Sequence, residues 1–258
     1  MEKQTTIKNN ISISGKGLHT GQIVNVKLLP STADTGVVFR RTDVEGTPEI
    51  PALVSYVGDT SRGTTLCKNG LRIATIEHLL SALVGMNVDN LVVELDGEEI
   101  PILDGSPRYW IEEIKKVGVL ELDKERKYVT LKESITYTDA QNGVEITGVP
   151  ADDFQVTTYI NYKTKVLGEQ TAKYTETDDY ETELSKCRTF VFLHEIEFLQ
   201  KANLIKGGDV DNALIFVNKE LSEDEHAVCE KDVDKLISEA IEKIDKLSVE
   251  KEKDIMSV

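Results

Sequence analysis

Cysteine is scarce in this chain and odd in number. Cys67, Cys187 and Cys229 share no spacing that a metal site would use. A disulfide framework is therefore excluded, and the three read as reduced thiols of a cytoplasmic protein. Cations are also in short supply: 30 Lys and Arg stand against 46 Asp and Glu, a formal net charge of −16. Nucleic acid is excluded as a partner on that ground, because phosphate binding needs clustered Lys and Arg. No apolar run approaches membrane-spanning length, and the opening MEKQTTIKNN has no apolar core of a signal peptide. The expectation is a soluble, cytoplasmic protein with no transmembrane segment.

What is present is ordinary for a folded protein. Apolar residues make up 40% and charged residues 29%, so a core is affordable. At 258 residues the chain can bury roughly three quarters of its unfolded surface, in one large domain or two of ordinary size. The first third reads as strands and turns. TTIKNNISISGKG alternates Ile with polar residues, and QIVNVKLLP and TGVVFRRTD follow with β-branched enrichment. Then Ile76, Leu79, Leu80, Leu83 and Val84 recur at helical spacing up to Gly85. VDNLVVELDG reads as a buried strand, IPILDGSPRYW as a further strand and turn, and PRYWIEEIKKVGV as a helix. The charged stretch Glu121–Lys127 reads as a connector, which puts a first α/β domain at 1–122 and a second at 128–258, atypical after about residue 218. Strands recur in KYVTLKESITYTD, GVEITGVP and FQVTTYINYK, then a polar stretch runs from Thr164 to Thr182. RTFVFLHEIEFLQKANLIKGG enters a helix through a strand or turn.

One triplet repeats. Val88-Asp89-Asn90 precedes Leu-Val-Val, and Val210-Asp211-Asn212 precedes Ala-Leu-Ile, each after a helix ending in glycine. This pattern predicts an internal duplication. The expected fold class is α+β: a duplicated two-domain α/β sandwich, each domain a sheet with helices on one face.

Glu77 and His78 hold the chemical interest. They lie in the first turn of the leucine helix, with Thr75 as the expected N-cap. The positive helix end favours an ionised Glu and a neutral His there. Neutral imidazole is the metal-binding form, and a carboxylate can take a proton from water. The bland reading is a solvent-facing pair, or a hydrogen-bonded core histidine. No second His stands four residues on, so this is not the H-E-x-x-H pattern.

Five stretches, in order across residues 5 to 220, resemble the zinc-dependent UDP-3-O-acyl-N-acetylglucosamine deacetylases of bacterial lipid A and lipopolysaccharide biosynthesis. They are GLHTG (17–21), TIEHLLSAL (75–83), VDNLVVELDGEEIPILDGS (88–106), CRTFVFLHEIEFL (187–199) and LIKGGDVDNALI (204–215). The resemblance implies two α/β domains with helices packed between two sheets, and a Zn2+ cofactor. It implies His78 as a metal ligand, Glu77 as the general base and Thr189 as an oxyanion-stabilising group. His19 and Asp104 would line the catalytic site. Phe190, Ile196, Ile205 and Gly208 would line a passage for the acyl chain. The substrate implied is a UDP-linked acylated amino sugar, approached peripherally at the inner membrane of a Gram-negative bacterium.

The resemblance also implies a late H-x-x-x-D metal motif and a further histidine as general acid. The four histidines are His19, His78, His194 and His226, and none stands in that motif. The nearest substitute is His226 with Glu230, at i, i+4 on one helical face. Two readings of activity follow, an active zinc amidohydrolase, or an inactive relative serving as a binding module or truncated product. A third role is protein interaction through the stripe Val233, Leu236, Ile237, Ala240, Ile241, Ile244 and Leu247.

Overall fold

Valine and isoleucine alternate with polar residues through the first third, and that alternation sets the main sheet. In the computed structural model, residues 2–164 and 166–217 are described. The element order opens β1 (Lys3–Ile7), β2 (Ile11–Lys16), β3 (Ile23–Pro30), β4 (Val37–Arg41), β5 (Glu49–Pro51). It continues β6 (Val57–Asp59), β7 (Thr65–Lys68), β8 (Leu71–Ile73), α1 (Glu77–Gly85), β9 (Leu91–Leu95), α2 (Arg108–Val117) and β10 (Val119–Glu125). Five of these strands form a mixed sheet in the order β2-β3-β9-β4-β5. β9 pairs antiparallel with β3 and parallel with β4. Side chains alternate across a strand, so Val24, Val26 and Leu28 of β3 share one face with Leu91, Val93 and Leu95 of β9. All six are buried. They meet Leu79 and Leu83 of α1 and Trp110, Ile111 and Ile114 of α2 in a single core. Each such side chain contributes about 1.5–3 kcal/mol by leaving water.

Three sequence expectations are corrected here. Residues 119–125 form β10 and pair antiparallel with β1, so the charged stretch is largely a strand and not a connector. Its charges are tolerated because most of its residues are exposed. The stretch after Gly97 forms no strand: Glu99 makes one isolated bridge to Ala74, and turns follow up to α2. Val84, counted in the apolar stripe of α1, points to solvent, while Ala82 is buried in its place.

The chain then gives β11 (Ile135–Asp139), β12 (Val144–Gly148), β13 (Gln155–Asn161), β14 (Glu169–Thr175), α3 (Tyr180–Glu183), β15 (Phe190–Phe192), α4 (Leu193–Lys201) and β16 (Leu214–Phe216). The polar stretch 164–182 therefore contains a strand and a helical turn. β11 and β12 form an antiparallel hairpin, and β15 and β16 pair in parallel. One compact unit comprises residues 1–160 and 170–216. Of the other, residues 161–164, 166–169 and 217 are described. Its described part is a loop closed by Tyr162 N–H to Gly168 O at 3.0 Å. His226, Glu230, Cys229 and the stripe 233–247 lie outside the described residues.

The repeated triplet has a physical reason. Asn90 is 1% exposed. Its Nδ2 donates to Gln4 Oε1 at 3.0 Å, and its Oδ1 accepts from Gly36 N at 3.0 Å. Asn212 is buried too: its Nδ2 donates to Gly207 O and its Oδ1 accepts from Asp209 N, both at 2.9 Å. Each asparagine thus stitches backbone just ahead of a strand that pairs in parallel, β9 with β4 and β16 with β15. Asn90→Ala strands a buried N–H and is expected to cost about 2–3 kcal/mol in chemical denaturation. An unchanged denaturation midpoint would refute this role.

Candidate functional site

α1 begins on the residue of interest. Its N-cap is Ile76, with helical angles and no side-chain cap. Thr75, expected as the cap, turns its hydroxyl elsewhere, to Glu99 Oε1 at 3.0 Å. Glu77 is held from the other side by the loop before β7. Its Oε2 accepts from Thr64 N at 2.8 Å, and a Cβ on Gly63 would sit 3.0 Å from its Oε1. The carboxylate is thus anchored at one oxygen while the other faces the imidazole of His78, with Oε1 to Nε2 at 4.0 Å.

His78 is the more enclosed of the two: 17% of its side chain is exposed, against 36% for Glu77. Burial pushes the imidazole below its ordinary value. The negative charges of Glu77 and then Asp104 pull the other way, and burial prevails. The ring therefore favours the neutral form, as its helix-end position predicts. Beside it opens a cavity of about 280 Å³ lined by Glu77, His78, Ser81, Pro107, Tyr180, Leu184 and Cys187.

Asp104 sits in the turn that starts α2. Its Oδ1 accepts from Ser106 N at 3.1 Å and Ser106 Oγ at 2.8 Å, and its Oδ2 pairs with Arg108 at 3.0 Å. Its backbone oxygen accepts from Arg188 Nε at 2.8 Å, and Gly105 O accepts from Thr189 N at 2.8 Å. Asp104 thus adjoins the residue that Thr189 bonds, and its charge reaches the imidazole of His78.

His19 lies on the other side of the 62–64 loop. Its ring Nε2 is 3.4 Å from Arg62 O, and it lines a second cavity of about 310 Å³ with Gly63, Thr75 and Glu99. The GLHTG turn is docked on the LIKGG turn through Gly207 N to Leu18 O at 3.0 Å. A Cβ on Gly207 would strike Gly17 O at 2.2 Å, so this close approach needs glycine. Ile205 and Gly208 belong to that same turn, with Gly208 N bonded to Ile205 O at 2.9 Å. Phe190 lies on β15, edge-on to Phe192 and Phe216 at 5.9 and 5.6 Å. Ile196 lies half-buried on α4. His194 stacks on Phe192 at 5.5 Å.

Sequence reasoning passed over four contributors: the Gly63–Thr64 loop, Glu99, Ser81 and Tyr180. Ser81 was findable, since it stands four residues after Glu77 on one helical face. Its hydroxyl hydrogen-bonds the Tyr180 hydroxyl. Tyr180 lay in a stretch without periodicity, and only the tertiary fold presses its ring onto Gly85, where a Cβ would come within 2.2 Å.

Among the described residues, no three His, Cys, Asp or Glu side chains gather in a metal-binding group. A catalytic zinc takes three protein ligands, and among the described residues lining this cavity His78 is the one with a side-chain nitrogen donor. The described residues alone do not make a zinc site. No described helix is long and apolar enough to cross a membrane.

Comparison with known proteins adds a second line of argument. The profile of the family described as UDP-3-O-acyl N-acetylglycosamine deacetylase matches residues 4–233. The chain is 40% identical over 224 residues to the bifunctional enzyme LpxC/FabZ of Porphyromonas gingivalis, covering 87% of this chain and 48% of that protein. It is 41% identical over 219 residues to the UDP-3-O-acyl-N-acetylglucosamine deacetylase of Saccharophagus degradans, covering 83% and 71%. With the protein of the same description from Cellvibrio japonicus it shares 42% over 218 residues, covering 83% and 71%. The chain spans about half the length of the first of these relatives.

Proposed function

We propose, since this chain belongs to the UDP-3-O-acyl-N-acetylglucosamine deacetylase family, that it hydrolyses the acetamide of a UDP-linked, 3-O-acylated N-acetylglucosamine in lipid A biosynthesis. The observation that supports this most is the meeting of an anchored carboxylate and a half-buried imidazole on one cavity. Glu77, fixed at Oε2 by the Thr64 N–H, presents Oε1 to take a proton from water attacking the acetyl carbonyl. Thr189, placed beside Gly105, has a hydroxyl able to donate to the oxygen that becomes negative in the tetrahedral intermediate. Collapse releases acetate and a free amine, and the proton taken by Glu77 balances the one the amine nitrogen gains. Asp104 supports the neutral-to-charged balance of His78 by its charge.

Zinc is the cofactor this reading requires. When bound it would lower the pKa of its water towards about 7. His78 is the donor among the described residues. Outside that set, His226 with Glu230 is the nearest substitute this sequence offers for the late metal motif. Phe190, Ile196, Ile205 and Gly208 are assigned to substrate binding, and His19 to the lining of the catalytic site, on the family resemblance alone. A cytoplasmic site of action, on a lipid substrate held at the inner membrane, completes the proposal.

The test is metal content and turnover of the full chain. One zinc per chain is expected after purification and dialysis, with loss of at least nine tenths of it in His78→Ala. A parent that takes up no zinc at micromolar concentration, and releases no acetate from the UDP-sugar, would overturn the reading.

A further inference from the structure

Glu99 has no exposed surface, yet four donors converge on it. Its Oε1 accepts from His19 N at 2.9 Å and Thr75 Oγ1 at 3.0 Å. Its Oε2 accepts from Thr20 N and Thr20 Oγ1, both at 2.8 Å. That fills the acceptor capacity of a carboxylate. The donors come from two segments far apart in the chain, the turn that carries His19 and the approach to the helix that carries Glu77 and His78. The turn closes tightly over the acid: a Cβ on Gly17 would sit 2.4 Å from Oε2.

Thr75 is the unusual member. It is 3% exposed and its φ is +58°. A β-branched side chain in the left-handed region is an outlier, and such strain persists only where the surroundings hold it. The surroundings are on either side of the strained residue. Ala74 N bonds Glu98 O at 2.8 Å, Ile100 N bonds Ala74 O at 3.0 Å, and Ile76 N reaches Thr64 O at 3.3 Å. The hydroxyl bond to Glu99 is the side-chain part of the same clamp.

We propose that Glu99 and Thr75 form a latch that positions the reacting pair. The strained turn sets where α1 begins, and so aims Glu77 and His78 at their cavity. The same acid fixes the backbone of His19. Glu99 touches no reacting atom and acts through these segments; it is a positioning residue. This inference rests on the deacetylase reading for its kinetic arm only.

The test uses the full chain and three variants. Thr75→Gly removes the hydroxyl and accepts the left-handed φ. Its melting temperature is expected within about 4 °C of the parent, because lost bonding and relieved strain oppose each other. Its kcat is expected to fall about tenfold or more with KM within about twofold, since misplacement by a fraction of an ångström is costly in rate. Thr75→Ser keeps the hydroxyl and is expected to hold kcat within about twofold. Glu99→Gln puts an amide donor among four donors and is expected to lose kcat as Thr75→Gly does. Full kcat in folded Thr75→Gly, or an equal loss in Thr75→Ser, would overturn the latch. Should Glu99→Gln not fold, the Thr75 pair decides. If the parent shows no turnover, the deacetylase reading fails and the latch is judged by NMR. The imidazole signals of His78 and His19 must shift in Thr75→Gly and stay in Thr75→Ser; unmoved signals in both sink it.

Discussion

Glu77→Gln is expected to reduce acetamide hydrolysis by about two to four orders of magnitude in kcat, with little change in KM. The substitution isolates chemistry from architecture. Glutamine matches glutamate in volume, and its Oε1 can still accept from the Thr64 N–H that now anchors Glu77. The packing of α1 on the core is untouched, because Leu79, Ala82 and Leu83 carry that burial. What is lost is the ability to take a proton from water. Acetate release followed by mass spectrometry gives the rate, and a thermal melt checks the fold. If Glu77→Gln kept more than a tenth of the parent kcat, the carboxylate would not be the base. The bond from Thr64 would then be read as a helix-terminus contact, of the kind acidic residues make in a first turn.

The readable and unreadable parts of this molecule divide along a physical line. Hydrophobic patterning marked the strands β2 to β4 and β9 and the helices α1 and α2, because each turns apolar side chains to a common core. It misread Glu121–Lys127, where charge suggested a connector but most of the stretch lies in β10, a strand beside β1 that tolerates exposed acids and lysine. Glu77 and His78 stood out because two reactive side chains in a first turn have an electrostatic meaning on their own. Their supports did not. The Gly63–Thr64 loop, Tyr180 and Glu99 act through backbone amides, a packed ring and a buried carboxylate. None of these has a local periodicity, and each gains its role only when distant segments meet. Thr75 shows the limit best: its type and place both suggested a cap, and its φ and its partner make it part of a different device.

The joint between Asp104 and the 188–214 segment rests on one glycine, and Gly105→Ala is expected to cost about 4 kcal/mol or more. Gly105 has φ +77°, and a Cβ there would lie 2.1 Å from Asn212 O and 3.1 Å from Thr189 Cγ2. Neither neighbour can give way cheaply. Asn212 is buried with both ends of its amide bonded. Thr189 is bonded through its N–H to Gly105 O, and through its carbonyl to Leu214 N at 2.9 Å. The strain of a side chain at positive φ adds about 1–3 kcal/mol, and forced separation of packed backbone about as much again. Gly143→Ala supplies the control, since its φ is +66° and nothing lies within 4 Å of its Cβ. That variant carries the strain without the collision and should cost about 1 kcal/mol. Urea denaturation of the two variants against the parent separates the contributions. Equal costs would mean that the backbone of Gly105 does not press on Asn212. A large excess for Gly105→Ala, with acetate release falling further than the unfolded fraction explains, would tie the spacing of Asp104 and Thr189 to turnover.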